Sequence, residues 1–203
     1  MATLETQKYS QHDEERYILE VLRGLAPETA HFLDIGAWHP TCLSNTRALV
    51  ERGWSGMMIE PSPQPFLNLL DAYGASGKIT LLLGAIGLES CIAPMWITDD
   101  AVSTLIETEY EVWRKHANFR GQILVPVITL DQLFHQYGGD WQFINIDAEG
   151  ISPALFKRLL KIGVRPRCIC VEHNQQIVEL AGHAQCAGYR QVYLNGTNVV
   201  YSV

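Results

Sequence analysis

The sequence predicts an α/β fold in which a mostly parallel seven-stranded sheet carries helices on both faces and finishes in an antiparallel hairpin. Three observations predict it. Short apolar runs alternate with segments of helical periodicity along most of the chain. Several of the runs end in an acid or a glycine, as at Asp34-Ile-Gly36, Glu60, Asp147 and Glu172. The last two runs, Tyr189 to Leu194 and Asn198 to Val203, flank Asn195-Gly196, a strong signal for a tight hairpin.

The elements follow in order. Ser10 and Asp13 open a helix whose apolar positions Tyr17, Ile18, Val21, Leu22 and Leu25 recur at helical spacing. A strand over His31 to Ile35 leads into a short helix starting near Ser44 and stopped by Gly53. The strand Gly56 to Glu60 comes next, and Ser62-Pro63 starts a helix that ends near Gly74. Ile79 to Leu83 reads as the third strand. Between Gly84 and Val127 the pattern is less regular, with Ala93 to Thr98 and Gln122 to Ile128 strand-like and Thr104 to Ala117 helical, which reads as an insertion. Thr129 and Gln132 form a capping box for the helix Leu130 to Tyr137. Phe143 to Ile146 is a strand, Ala154 to Lys161 a helix closed by Gly163, Arg167 to Val171 a strand, and Gln175 to Ala187 a helix.

A chain of 203 residues with 47% hydrophobic content suits one domain, residues 1–203, with an N-terminal helical segment over 1–30 and the insertion over 84–127. A formal net charge of −7 argues against nucleic acid or an anionic membrane surface as principal partner. The sequence has no apolar run long enough to span a membrane, and Met1 to Arg16 is polar and acidic, which predicts a cytoplasmic protein. The five cysteines read as free thiols, with Cys168 and Cys170 in one strand and expected on opposite faces.

In an open α/β sheet, ligands bind outside the carboxyl ends of the strands. Gly36 lets the backbone come close to a cofactor, and Asp34 can accept hydrogen bonds from loop amides or from a ligand ammonium group. Glu60 offers two acceptor oxygens to the vicinal hydroxyls of a ribose. The helix near Ser44 can turn free amides toward a carboxylate. A dinucleotide would require Gly-x-Gly-x-x-Gly after the first strand, but the sequence reads Gly36-Ala-Trp-His-Pro40. Trp38 and Pro40 therefore argue against pyrophosphate contact, although a nicotinamide oxidoreductase remains a lesser alternative.

A parallel sheet finishing in a hairpin is the layout of the Rossmann-like class I fold of S-adenosylmethionine-dependent methyltransferases. The chain resembles the FkbM-type family of these enzymes. The resemblance rests on Leu33-Asp-Ile-Gly-Ala-Trp-His-Pro40, Ser44-Asn-Thr46, Gly53-Trp-Ser-Gly56, Ile59-Glu-Pro61, Thr129-Leu-Asp131, Ile144-Asn-Ile-Asp-Ala-Glu-Gly150, Val171-Glu-His173 and Gly188-Tyr189. It implies an O-methyltransferase acting on a hydroxyl of a sugar, polysaccharide unit or related natural product. It also implies S-adenosylmethionine contacts at Asp34, Gly36, Ala37, Ser44, Glu60, Ala85 and Ile86. Asn145 stands where many relatives have Lys and Trp38 where a smaller polar residue is common, which leaves the acceptor open.

Methyl transfer from a sulfonium is an in-line displacement, so the protein must align the reacting atoms, exclude water and take a proton from the hydroxyl. Asp147 is expected nearest the methyl, with His173 or His39 as base or substrate holder, against the plainer reading of each histidine as structural. Glu149 can instead cap the helix at Ser152. A divalent metal is possible but not expected; Asp147, Glu149, Glu172 and His173 would be its ligands. Tyr110, Trp113 and Phe119 pack the insertion or wall a sugar ring. A small-molecule or glycan acceptor is the expected partner, and a second copy of the chain could complete the pocket. The rival from another class is a catalytically silent adenosyl-binding or assembly protein of the same fold.

Overall fold

The computed structural model describes residues 8–203. Met1 to Gln7 of the N-terminal segment lie outside the described residues.

Seven strands form the main sheet: β1 (His31–Ile35), β2 (Ser55–Glu60), β3 (Ile79–Leu83), β7 (Phe143–Ile146), β8 (Cys168–Glu172), β9 (Arg190–Leu194) and β10 (Asn198–Ser202). Their order across the sheet is β3-β2-β1-β7-β8-β10-β9. Only β10 runs antiparallel to its neighbours, slotted between β8 and β9. The chain starts at the middle of the sheet, winds outward through β2 and β3, and then returns to the other side of β1 at β7. That reversal opens a crevice at the carboxyl ends of β1 and β7, the ligand position expected of such a topology.

The central strands are buried on both faces, as parallel strands must be when helices cover each side. On one face Leu33, Ile35, Ile59, Ile144, Ile146 and Val171 pack on α5 (Leu130–Tyr137), α6 (Ser152–Ile162) and α7 (Ile177–Cys186). On the other, Phe32, Met58, Phe143 and Val200 pack on α1 (Glu14–Val21), α2 (Arg47–Glu51) and α3 (Pro63–Tyr73). The period of two in strand side chains makes this division. A Cβ at Gly56 would sit about 2.5 Å from the Phe32 ring, so the glycine makes room for that core aromatic. Cys168 and Cys170 share the α1–α3 face, not opposite faces, because residues two apart in a strand point the same way.

The insertion folds as a second, three-stranded sheet. β6 (Phe119–Thr129) pairs antiparallel with β5 (Cys91–Thr98) and parallel with β4 (Ala85–Gly87), a strand too short to stand out in the sequence. Ala85, Met95, Val125 and Val127 form its inner core. The helix expected over Thr104 to Ala117 is confined to α4 (Glu107–Trp113). Thr104 is instead held extended in a two-bond bridge with Trp96, which keeps the segment before α4 out of the helix.

Two further expectations are refined. The helix near Ser44 begins at Arg47, so Ser44, Asn45 and Thr46 form a buried approach loop. The hairpin loop spans Asn195 to Thr197 and is tied by the Asn195 side chain, whose Oδ1 accepts the amides of Thr197 and Asn198. No helix among the described residues is long and apolar enough to cross a membrane.

Candidate active site

The carboxyl ends of β1, β2, β7 and β8 open into one cavity of about 270 Å³. Asp34 to Trp38, Glu60, Asp147 to Glu149 and Glu172 come from those ends; Ser44 and Asn45 come from the approach loop. The insertion closes another side with Met95, Leu105, Ile106 and Trp113, and Gln11 reaches it from the N-terminal segment. Five carboxylates line this space, and among the described residues no Lys, Arg or His does.

The turn after β1 is fixed by backbone geometry. Gly36 has φ +83°, and a Cβ there would lie 1.8 Å from the Asp147 carbonyl oxygen. The glycine is therefore required by the packing of β1 against β7 before any ligand is considered. The Gly36 and Ala37 amides donate to the Ile59 carbonyl at 3.0 and 3.1 Å.

Asp34 is 2% exposed, and its carboxylate accepts from the Thr46 hydroxyl and from the Asn145 amide at 2.8 Å. Asn145 Oδ1 in turn accepts from Asn45 Nδ2 at 3.1 Å. Asp34 thus ties β1 to β7 and to the approach loop. Burial pushes its carboxyl above the ordinary range, opposed by the Thr46 and Asn145 hydrogen bonds. Glu60 accepts the Trp38 amide at 2.9 Å on one oxygen and the Ser62 amide at 2.7 Å on the other. It too is raised by burial, against the pull of those amides.

Asp147, Glu149 and Glu172 converge, with one carboxylate oxygen of each within 4.8 Å of the others. Burial is the main cause that raises all three, and the mutual repulsion of like charges adds to it at Asp147 and Glu149. Glu149 is pushed up to about 9. Ser152 donates to Glu172 at 3.3 Å from the first turn of α6. Such a trio has the donor chemistry to meet a cation or to hold a proton more tightly than ordinary carboxylates do.

A family model described as the methyltransferase FkbM domain matches residues 34–190. The chain belongs to the FkbM methyltransferase family. An FkbM methyltransferase structure from Methylobacillus flagellatus KT superposes with a TM-score of 0.53 at 14% identity, covering 92% of this chain and 48% of that one. This FkbM chain therefore spans about half the length of that relative. The METTL16 MTase domain superposes with a TM-score of 0.50 at 12% identity, over 93% of this chain and 65% of the other. Both likenesses are of fold, a class I Rossmann-like methyltransferase fold. Among curated proteins no significant match is found.

In this FkbM domain the cavity gathers most of the residues singled out in the sequence: Asp34, Gly36, Ala37, Ser44, Glu60, Ala85, Ile86 and Asp147 all line it. The two histidines do not. His39 Nδ1 accepts the Thr41 and Cys42 amides at 3.1 and 3.0 Å, so the ring ties its own loop. His173 is 2% exposed; its Nδ1 accepts the Gln175 amide, and its Nε2 lies 3.2 Å from the Asn195 carbonyl, to which it donates. A ring with both nitrogens engaged holds the hairpin loop and is not placed among the three carboxylates. The Ser44 hydroxyl accepts the Arg47 amide at 3.1 Å.

Several lining residues escaped the sequence reading. Thr197 and Asn198 reach the cavity because β10 is inserted beside β8. Buried Glu14 anchors the N-terminal segment by accepting from the Asn195 and Asn198 side chains at 2.6 and 3.0 Å. A helix-start acid is an ordinary sequence feature, and nothing local marks it as a tether to residues some 180 positions away.

Proposed function

We propose that this domain binds S-adenosylmethionine at the ends of β1, β2 and β7 and transfers its methyl group to a hydroxyl of a sugar, polysaccharide unit or related natural product. The observation that carries the reading is the acidic lining of the cavity: five Asp and Glu side chains and no basic one among the described residues suit a ligand that carries an ammonium, a sulfonium and a ribose beside its single carboxylate. Glu60 retains unused acceptor lone pairs for the two ribose hydroxyls, since each oxygen holds only one amide. Asp34, Gly36, Ala37 and Ser44 shape the floor, while Ala85 and Ile86 form the adjoining wall.

S-adenosylmethionine supplies an electrophilic methyl on a cationic sulfur. Asp147 would take the proton of the acceptor hydroxyl. Its raised affinity for protons suits that role better than an ordinary carboxylate would. Met95, Leu105, Ile106 and Trp113 exclude water and give a sugar ring an apolar surface. Asp147, Glu149 and Glu172 could also ligate a divalent cation, but the displacement does not call for one.

The test is calorimetry with S-adenosylhomocysteine, alongside a methyl-transfer assay on a panel of hydroxyl compounds. Binding with turnover supports the proposal. Binding without turnover on any acceptor identifies a catalytically silent member instead. Stabilisation by NAD or NADP but not by S-adenosylhomocysteine would refute the reading altogether.

A further inference from the structure

The segment before α1 ties together two loops on the rim of the cavity. At one end the Tyr9 carbonyl accepts the Ser44 amide at 3.0 Å, in the approach loop after β1. The Tyr9 hydroxyl donates to Glu51 of α2 at 2.6 Å, and the Arg47 guanidinium stands 5.7 Å from the centre of its ring. At the other end Glu14 accepts from the Asn195 and Asn198 side chains of the closing hairpin. Between these ends Gln11 lines the cavity.

Distances along the sheet show how tightly this segment is drawn from rim to rim. Asn198 is paired with Glu172, so the hairpin loop lies beside the carboxyl end of β8, and β7 and β8 separate β10 from β1. Three strand spacings come to about 14 Å. The residue steps from Tyr9 to Glu14 reach at most about 17 Å, which leaves little slack.

The two ends are unequal. Glu14 is fully buried in the first turn of α1 and holds the His12 amide at 2.8 Å besides the two asparagine side chains. Ile18 and Leu22 fix that helix in the core. Releasing this end would strand a buried carboxylate. Tyr9, by contrast, rests on one backbone hydrogen bond to the approach loop and on Glu51, whose side chain is 43% exposed, so water can replace that contact. Its own amide is spent on Glu15, within the same segment. The Ser10 and Gln11 backbone groups make no backbone hydrogen bond among the described residues. A stretch so sparsely bonded opens at small local cost.

We infer that Tyr9 to His12 form a strap across the mouth of the cavity, hinged at Glu14 and clasped at Tyr9, which lifts for the ligand to enter and to leave, that ligand being S-adenosylmethionine on the reading proposed above. The clasp is made without any group in the cavity, so weakening it raises the open fraction equally in free and occupied protein. Association and dissociation then quicken together while affinity holds; loss of a direct ligand contact would instead quicken dissociation alone.

The test uses the full chain and Tyr9→Phe, which removes only the hydroxyl bonded to Glu51. In the ligand-free proteins the Ser44 amide, whose acceptor belongs to the strap, should exchange hydrogen about threefold to tenfold faster in the variant, with the α1 amides unchanged. Stopped-flow binding of S-adenosylhomocysteine should then show association and dissociation faster by a similar factor, with Kd kept within about twofold. Glu51→Gln should reproduce both shifts, and the double variant should add little to either single one. Unchanged Ser44 exchange, faster exchange throughout α1, or faster dissociation without faster association would each overturn the strap. If the unaltered protein binds no S-adenosylhomocysteine, the cofactor reading falls, while the exchange comparison still decides whether the strap opens.

Discussion

At the scale of single residues, Glu60 and Glu149 show two opposite uses of a buried carboxyl. Glu60 is held in place by two backbone amides, one on each oxygen. Glu60→Ala should weaken S-adenosylhomocysteine by at least about tenfold in calorimetry, through lost charged hydrogen bonds. The Trp38 and Ser62 amides would lose their acceptor as well, so a modest fall in melting temperature is expected. Glu149 has no such amides to stabilise its charge, and its carboxyl is raised from 4.5 to about 9 by burial and by Glu172. The folded state therefore holds that proton more tightly than the unfolded chain does. The stability it contributes is fully present below about pH 4.5 and is lost as the pH rises through about 9. Glu149→Gln should flatten the decline of melting temperature across that window, and a decline as steep as that of the unaltered protein would remove Glu149 from the explanation. Asp147 and Glu172 share the direction and leave a residual slope.

At the scale of elements, local chemistry and tertiary packing can be separated by substitution. Thr129 caps α5 by accepting the Gln132 amide at 3.2 Å, while Gln132 accepts the Thr129 amide at 3.0 Å. Thr129→Ala should cost about 1 kcal/mol, readable as a shift in the denaturant midpoint without a change in slope. Gly36 answers to packing instead. Gly36→Ala places a methyl group against the Asp147 carbonyl in a left-handed backbone, so β1 and β7 must separate. We expect loss of soluble folded protein for that variant, and a well-folded Gly36→Ala with normal melting would contradict the geometry. The short helix α2 makes the same point in reverse. Thr46 stands at its start, yet its hydroxyl goes to Asp34 and not to the helix amides. Site architecture here outweighs the ordinary capping preference.

For the whole molecule, the governing property is an acidic cavity, with no basic side chain among the described residues that line it, inside a chain of net charge −7. A like-charged acceptor would meet a repulsive field on approach and inside the site. Neutral or cationic hydroxyl compounds should therefore be methylated in preference to phosphorylated or carboxylated analogues, with the discrimination shrinking as salt is raised. Equal rates for matched neutral and anionic acceptors would refute this. The insertion gives the cavity its second wall. β4 aligns Ala85 and Ile86 beneath it, the bridged segment around Thr104 supplies the apolar side, and Trp113 reaches in from α4. Under the proposed reading residues 84–127 shape the acceptor side of the cavity, and substitutions at Trp113 should alter the acceptor KM with little effect on cofactor affinity.

The order of strands and helices, the capping of α5, the closing hairpin and the acids at strand ends are legible in the sequence, because each depends on periodicity or on residues within a few positions of one another. The family could be read for the same reason, from short motifs kept in order. The tertiary structure alone decides which polar groups share an environment. Asp34 meets Thr46 and Asn145, Asn45 meets a side chain 100 residues away, three carboxylates gather from β7 and β8, and both histidines turn to loop carbonyls or amides. No local pattern specifies these meetings. They follow from the parallel register that sets Asp34 beside Asn145 and from the crossover that brings β7 against β1. The sequence by itself put acids and glycines at these strand ends; packing decided which polar groups tie loops and strands together, as both histidines do, and which converge on the cavity, as Asp147, Glu149 and Glu172 do.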